Sequence, residues 1–227
     1  MINRLRNTSR FYIPYLALLT LAIVFYFYQE HGDFVLWLNQ LHNPLWDFFF
    51  KYWTYTGHGV FFAVVTIVLI FLNKRFGLVL ALIGITIGGV TAFFKEVLFE
   101  TAPRPRIYFE GQKILEFVDG VNILSFHSFP SGHAMGVFGL ATFISLMLQN
   151  NRYALFLLIA ATFTTISRIY LAQHFLIDVM AGSLAGVIIS TAFYMTFERY
   201  LNKENTGSTK SPDEGLADID LKNMDVD

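Results

Sequence analysis

Apolar residues run along this chain in long unbroken stretches rather than at amphipathic spacing. Six stand out, roughly Phe11–Tyr28, Gly59–Leu72, Phe76–Phe94, Gly132–Leu148, Tyr153–Tyr170 and Phe175–Phe197. A helix rising 1.5 Å per residue needs about 20 residues to cross about 30 Å of hydrocarbon. The pattern therefore predicts an all-α polytopic membrane bundle of six transmembrane helices. The second stretch is short and is expected to borrow residues from the aromatic segment before it. The first follows Arg4, Arg6 and Arg10 but is longer than a signal-peptide core, and Tyr28-Gln29-Glu30-His31-Gly32 has no small-x-small cleavage pattern. It reads as a retained anchor.

Two pieces fall outside the spans. Pro44–Thr56 packs seven aromatics into thirteen residues around Asp47 and Lys51. It is expected to lie at the lipid–water interface, as an anchor or as the wall of a lipid entry path. From about Asn202 to Asp227 the chain is polar, with seven acids against three lysines and no apolar period. That composition predicts a disordered cytoplasmic tail. The chain thus divides into an anchor span with its interfacial segment (1–58), a transmembrane core (59–200) and a tail (201–227).

Composition agrees with the pattern. Hydrophobic residues make up 55% and charged residues 15%, against about a quarter charged in a soluble domain. The net charge of −1 gives no footprint for nucleic acid. There is no cysteine, which excludes disulfides, thiol catalysis and cysteine metal sites. Orientation follows from Lys and Arg. Arg4, Arg6, Arg10, Lys74, Arg75, Arg152, Arg199, Lys203, Lys210 and Lys222 share one side. Lys51, Lys95, Arg104, Arg106, Lys113 and Arg168 share the other. The richer side is expected in the cytoplasm of an inner membrane, with both termini inside. Gly84/Gly88 and Gly182/Gly186 have the Gly-x-x-x-Gly spacing that lets helices approach closely.

On this map six ionisable residues reach one outer face: Lys95, Arg104, His133, Arg168, His174 and Asp178. Charges next to hydrocarbon are costly, so a cluster of them points to function. Three cations suit the oxygens of a phosphate, where transfer depends on positioning and charge neutralisation. Pro130-Ser131-Gly132-His133 opens an apolar helix, whose positive end favours an anion. His174 and Asp178 are spaced i, i+4. A carboxylate on one ring nitrogen fixes the tautomer and leaves the other lone pair exposed. His174 is then a candidate nucleophile, Asp178 its orienter, and His133 the acid for the leaving oxygen and the base for water.

These residues resemble the split motif of the type 2 phosphatidic acid phosphatase family. Its second part is matched at Pro130-Ser131-Gly132-His133, and its third at Ser167-Arg168, His174 and Asp178. The first part is usually Lys-x6-Arg-Pro; here Lys95 and Arg104-Pro105 are eight residues apart. The resemblance runs from about Val60 to Phe197. It implies a helical bundle, a phosphohistidine at His174, and metal independence without cofactor. It assigns phosphate binding to Lys95, Arg104, Ser131, Gly132 and Arg168. The expected partners are the bilayer and a lipid phosphate such as undecaprenyl diphosphate, phosphatidylglycerol phosphate or a lipid A phosphate. Two rivals use the same site: a protein that grips or transports a lipid head group, and a lipid phosphotransferase.

His31, His42 and His58 are assigned structural or solvated roles; so are His127, which could touch substrate from six residues before His133, and Arg106, which could add a phosphate contact. Glu96 and Glu100 have no His partner at ligand spacing, so no metal site is expected.

Overall fold

The computed structural model describes residues 8–112 and 115–202. Arg4, Arg6, Lys113 and the acidic tail lie outside the described residues. Every regular element among them is helical: α1 Ser9–Tyr28, α2 Asp33–Asn39, α3 Pro44–Trp53, α4 Gly59–Leu72, α5 Lys74–Phe93, α6 Pro105–Tyr108, α7 Gly132–Leu148, α8 Asn151–Tyr170, α9 Leu176–Thr196 and α10 Glu198–Leu201. A 3-10 turn, Thr54–Gly57, joins α3 to α4, and a π turn, Phe94–Leu98, extends α5.

Each of the six apolar stretches is a helix. Four are long and apolar enough to cross a membrane: Ser9–Tyr28, Lys74–Leu98, Asn151–Tyr170 and Leu176–Thr196. Pro44–Gly57 and Gly59–Leu72 form a fifth candidate span, bent by 53°. Gly132–Leu148 is apolar but shorter, and lies centrally, with Ala134, Met135 and Phe143 fully buried. A helix surrounded by other helices need not reach both lipid interfaces.

Local chemistry sets the boundaries. Asn43, His58, Asn73, Ser131 and Asn150 each cap the helix that follows by accepting a backbone N–H. Gln149 closes α7 in the left-handed region, at φ 51°.

The two Gly-x-x-x-Gly pairs do different things. A Cβ on Gly182 would overlap the Ser131 carbonyl oxygen, and one on Gly186 the Met135 carbonyl oxygen. These glycines are what lets α7 and α9 make the most extensive helix pairing in the bundle. Gly84 packs on the Phe62 ring, but a Cβ on Gly88 would meet nothing within 4 Å. The expected packing role holds for three of the four, and Gly88 faces open space.

The aromatic segment is also tied to the bundle by polar contacts. It folds onto α8 through Trp53, whose Nε1–H donates to the Ala160 carbonyl at 3.3 Å, and through Thr56 and Thr164, whose hydroxyls lie 2.7 Å apart. Asp47 accepts from the Tyr170 hydroxyl and pairs with His42 Nδ1 at 3.0 Å. The segment therefore braces the bundle as well as presenting aromatics such as Phe48 and Tyr52 to the surroundings.

The glycine contrast is testable. Gly186→Ala should cost about 1–3 kcal/mol through overpacking and lower the midpoint of thermal unfolding in detergent. Gly88→Ala should leave it unchanged or slightly raised, since Ala is the better helix former. Equal midpoints for the two variants would show that α7 and α9 are not in close contact.

Candidate active site

The bundle brings one end of four helices together. Lys95 sits in the π turn that ends α5, His133 in the first turn of α7, Arg168 in the last turn of α8, and His174 and Asp178 around the start of α9. Arg104 lies in the long connection from α5 to α7. Single π turns inside helices are frequent at functional sites.

The His174–Asp178 geometry comes from helix capping. Asp178 Oδ2 accepts the Phe175 backbone N–H at 2.9 Å, as an acid three residues inside a helix commonly does. The same oxygen lies 3.3 Å from His174 Nδ1 and accepts the Ser128 hydroxyl at 2.5 Å. The Asp178 backbone carbonyl accepts the Ser131 N–H at 3.0 Å, which ties the start of α7 to the start of α9. Nδ1 is thus the protonated nitrogen, and Nε2 carries the lone pair.

His174 Nε2 faces Arg104, whose Nη1 lies 3.4 Å away. The rest of the Arg104 guanidinium is held by carbonyls: Nε donates to Phe126 O at 2.8 Å, Nη1 to Gln173 O at 2.8 Å and Nη2 to His127 O at 3.3 Å. His127 adopts φ 59°, uncommon for a residue with a side chain, where the connection doubles back beside Arg104. Burial lowers the Arg104 guanidinium to about 10, against the pull of Asp178, so it is charged at neutral pH. Burial first, and then the charges of Arg104, Arg168 and Lys95, hold His174 well below its ordinary 6.5. At neutral pH it is an uncharged imidazole.

Arg168 is tied to His174 through the backbone. Its carbonyl accepts the N–H groups of Gln173 at 2.9 Å and His174 at 3.2 Å. Ala172, at φ 50°, makes that turn. A left-handed residue with a Cβ costs about 1–2 kcal/mol, so the tight link between these two side chains is built against local preference. Arg168 Nη1 donates to Thr54 Oγ1 at 2.9 Å, and Nε is buried with no partner among the described residues.

Ser131 is fully buried, and its hydroxyl accepts the Ala134 N–H at 3.4 Å. Its own N–H is taken by Asp178, so the hydroxyl proton is what it can offer an anion. Gly132 borders Thr91, where a Cβ would be 3.0 Å from the side chain. His58 sits beside His133 with ring centroids 5.8 Å apart, and His31 lies against Phe175 at 4.2 Å. His42 stacks on Tyr170 at 4.3 Å. Arg106 is exposed and donates to Ile123 O at 3.4 Å. His127 is exposed and contributes its backbone. Among the described residues no group of three or more His, Asp or Glu could hold a metal ion.

Three participants escape a reading by motif: Ser128, Gln173 and Thr54. Gln173 Oε1 lies 3.2 Å from Arg104 Nη1. Nothing in their residue types or spacing marks them, because their partners are 50, 69 and 114 positions away.

A groove of about 820 Å³ leads from Lys95 and His133 down between α4 and α5, past Gly88, Phe62, Ile67 and Ile70. It reaches from Lys95 to Ala81, roughly 20 Å at 1.5 Å per residue. Of the aromatic segment and its turn only Gly57 borders it.

A family model described as the PAP2 superfamily matches residues 75–201. The lipid A 4'-phosphatase of Bacteroides thetaiotaomicron is 26% identical over 171 residues, covering 70% of this chain and 73% of that protein. The lipid A 4'-phosphatase of Porphyromonas gingivalis is 23% identical over 184 residues, covering 76% and 75%. The crystal structure of Aquifex aeolicus LpxE superposes with a TM-score of 0.58 at 25% identity, covering 74% of this chain and 96% of that one. The PAP2-type phosphatidylglycerolphosphate phosphatase from Bacillus subtilis shares the fold, with a TM-score of 0.63 at 22% identity and coverage of 90% and 100%.

The charge environment of His174 predicts a pH effect with a definite sign. A lowered pKa keeps the imidazole neutral at pH 6.5 and above, and a reaction that needs its lone pair is lost only as pH falls below that. Arg104→Gln removes a charge that helps lower it. The acid limb of kcat/KM should then move to higher pH on a reduced maximum, whereas Arg104→Lys should leave the limb in place. An unmoved limb in Arg104→Gln would mean that Arg104 does not act on the titrating group.

Proposed function

We propose, from the premise that this chain belongs to the PAP2 superfamily, that its site hydrolyses the phosphate of a lipid A head group through His174. The protein is a multi-pass membrane enzyme, a metal-independent phosphoric ester hydrolase acting on lipid phosphates. The observation that carries the site assignment is the placement of the neutral His174 Nε2 among Arg104, Arg168 and Lys95. Both curated relatives described above are lipid A 4'-phosphatases, which favours that substrate over undecaprenyl diphosphate and phosphatidylglycerol phosphate.

The reaction divides into two displacements. The phosphate oxygens take the N–H groups of Lys95, Arg104 and Arg168 and the Ser131 hydroxyl, with Gly132 leaving room for close approach. His174 Nε2 attacks phosphorus, the N–P bond forms as the ester P–O bond breaks, and His133 gives its proton to the leaving oxygen. Asp178 holds Nδ1–H and stabilises the charge that develops on the ring. His133 then takes a proton from water, the hydroxide attacks phosphorus, and the N–P bond breaks to release inorganic phosphate. The cations supply the neutralisation that a metal supplies elsewhere.

The groove explains why a lipid is the substrate. It is apolar along α4 and α5 and ends at the charged cluster, so an acyl chain can lie in it while the head group reaches the cations. A head-group-binding protein needs the cations alone. The capped His174–Asp178 pair beside His133 favours hydrolysis.

Purified protein in detergent should release phosphate from lipid A bearing a 4'-phosphate, with EDTA present, and His174→Ala should abolish release. Gly88→Phe should fill the groove where no protein atom stands in the way. It should cut turnover of the lipid at least about tenfold while sparing a short water-soluble phosphate monoester. Equal losses on both substrates would place the acyl chain elsewhere.

Topology supplies a further test. Arg10 N–H donates to Asn151 Oδ1 at 3.2 Å and Arg75 lies 5.8 Å over the Tyr200 ring, so these cations share the face opposite the site. We assign that face to the cytoplasm and the site to the exterior of the inner membrane. A single cysteine at Gln112 should react with an impermeant thiol reagent in intact cells or spheroplasts, and one at Asn151 only after lysis. Inverted labelling would move the site to the cytoplasmic leaflet, and labelling on one side would break the convergence of the helix ends.

A further inference from the structure

We propose that Thr54 is a positioning residue for Arg168: its hydroxyl fixes the guanidinium so that the edge carrying Nε faces the phosphate. The proposal rests on the phosphatase reading of the site.

Thr54 opens the 3-10 turn where the chain bends between α3 and α4, and it is buried. Its Oγ1 accepts Arg168 Nη1 at 2.9 Å, and both side chains are nine-tenths or more buried. A guanidinium is planar, with its five N–H groups in a fixed fork. Anchoring Nη1 therefore sets the direction of the opposite edge, formed by Nε–H and an Nη2–H. Nε is buried and has no acceptor among the described residues. A buried donor left without a partner is costly, so its presence at a cluster of cations marks the place of an oxygen that arrives with the substrate. That edge can bond two oxygens of a phosphate side by side.

Thr54 can hold this position because its turn is strapped to α8 on both sides of Arg168. Trp53 bonds Ala160 and Thr56 bonds Thr164 on one side, and Asp47 accepts from Tyr170 on the other. The aromatic segment thereby supplies the site with an oriented cation rather than with a substrate contact.

Thr54→Val keeps the shape and deletes the acceptor, while Thr54→Ser keeps the acceptor. With purified full-length protein in detergent, Thr54→Val should lower kcat/KM on lipid A by about 10- to 100-fold. Its affinity for orthovanadate, read as the rise in thermal midpoint with vanadate concentration, should fall by a similar factor. Thr54→Ser should stay within about threefold of wild type, and affinity for the dephosphorylated lipid should not change. In an Arg168→Ala background, Thr54→Val should add no further loss.

The proposal is overturned if Thr54→Val keeps vanadate affinity within about twofold, or if Thr54→Ser loses as much as Thr54→Val. It is also overturned if dephosphorylated lipid binds more weakly in parallel, which would indicate a general packing defect. A wild-type protein that releases no phosphate from any lipid would refute the phosphatase reading by itself. Vanadate binding by the Thr54 variants would still decide whether Thr54 orients Arg168.

Discussion

The Asp178 carboxylate is where separate pieces of this bundle are fastened together. One oxygen accepts from the Phe175 backbone, the Ser128 hydroxyl and His174 Nδ1. The backbone carbonyl of the same residue accepts from Ser131. The start of α9, the end of the long connection, the start of α7 and the candidate nucleophile are therefore positioned by one residue. Charge-assisted hydrogen bonds are shorter and stronger than neutral ones, and a buried carboxylate needs several of them. Removing the carboxylate would loosen a helix cap, a loop anchor and the imidazole tautomer together. Its structural and chemical roles cannot be separated by a single substitution.

The cations pose the opposite problem. Arg104 and Arg168 are both buried, and no carboxylate forms an ion pair with either among the described residues. Arg104 is solvated by the carbonyls of Phe126, His127 and Gln173, which supply partial negative charge without neutralising it. Pairing each arginine with an acid would stabilise the apo protein more but would leave less attraction for a phosphate. Carbonyl solvation keeps the positive field available for an anion. Burial foremost, and then this field, keeps His174 neutral, since protonating it would add a charge among like charges.

Much of this was legible in the sequence, and the remainder has a physical reason for being hidden. The six apolar runs are helices because membrane spans repeat one simple requirement over about 20 residues. The charged residues at their ends were visible against that background, and the structure brings Lys95, Arg104, His133, Arg168, His174 and Asp178 to one end of the bundle. Thr54, Ser128 and Gln173 were invisible, because Ser, Thr and Gln are ordinary in any loop and each acts across the fold. Gly88 and Gly182 could not be told apart either. Both belong to a Gly-x-x-x-Gly pair, yet one abuts a carbonyl and the other faces a groove. Spacing records which residues share a helix face, not what stands opposite that face. The ties of the aromatic segment to α8 were hidden for a related reason. Its composition suits lipid, and its few polar atoms, at Asp47, Trp53, Thr54 and Thr56, decide that it is strapped to α8.

The site draws its residues unequally from the helices of one packed core. On one side α7 and α9 are locked at glycine contacts, and α8 is strapped by the aromatic segment. His133, Arg168, His174 and Asp178 all stand on this side. On the other, α4 and α5 line the groove, and only Lys95 comes from them. Phosphoryl transfer depends on positioning, so a displacement of about 1 Å at the nucleophile is expensive. Four of the candidates stand together on α7, α8 and the start of α9, which fixes Nε2 relative to Arg168. Lys95 stands apart from them, in the π turn that ends α5. A lysine suits that position, because its flexible stem and point charge tolerate misplacement that a bidentate arginine would not.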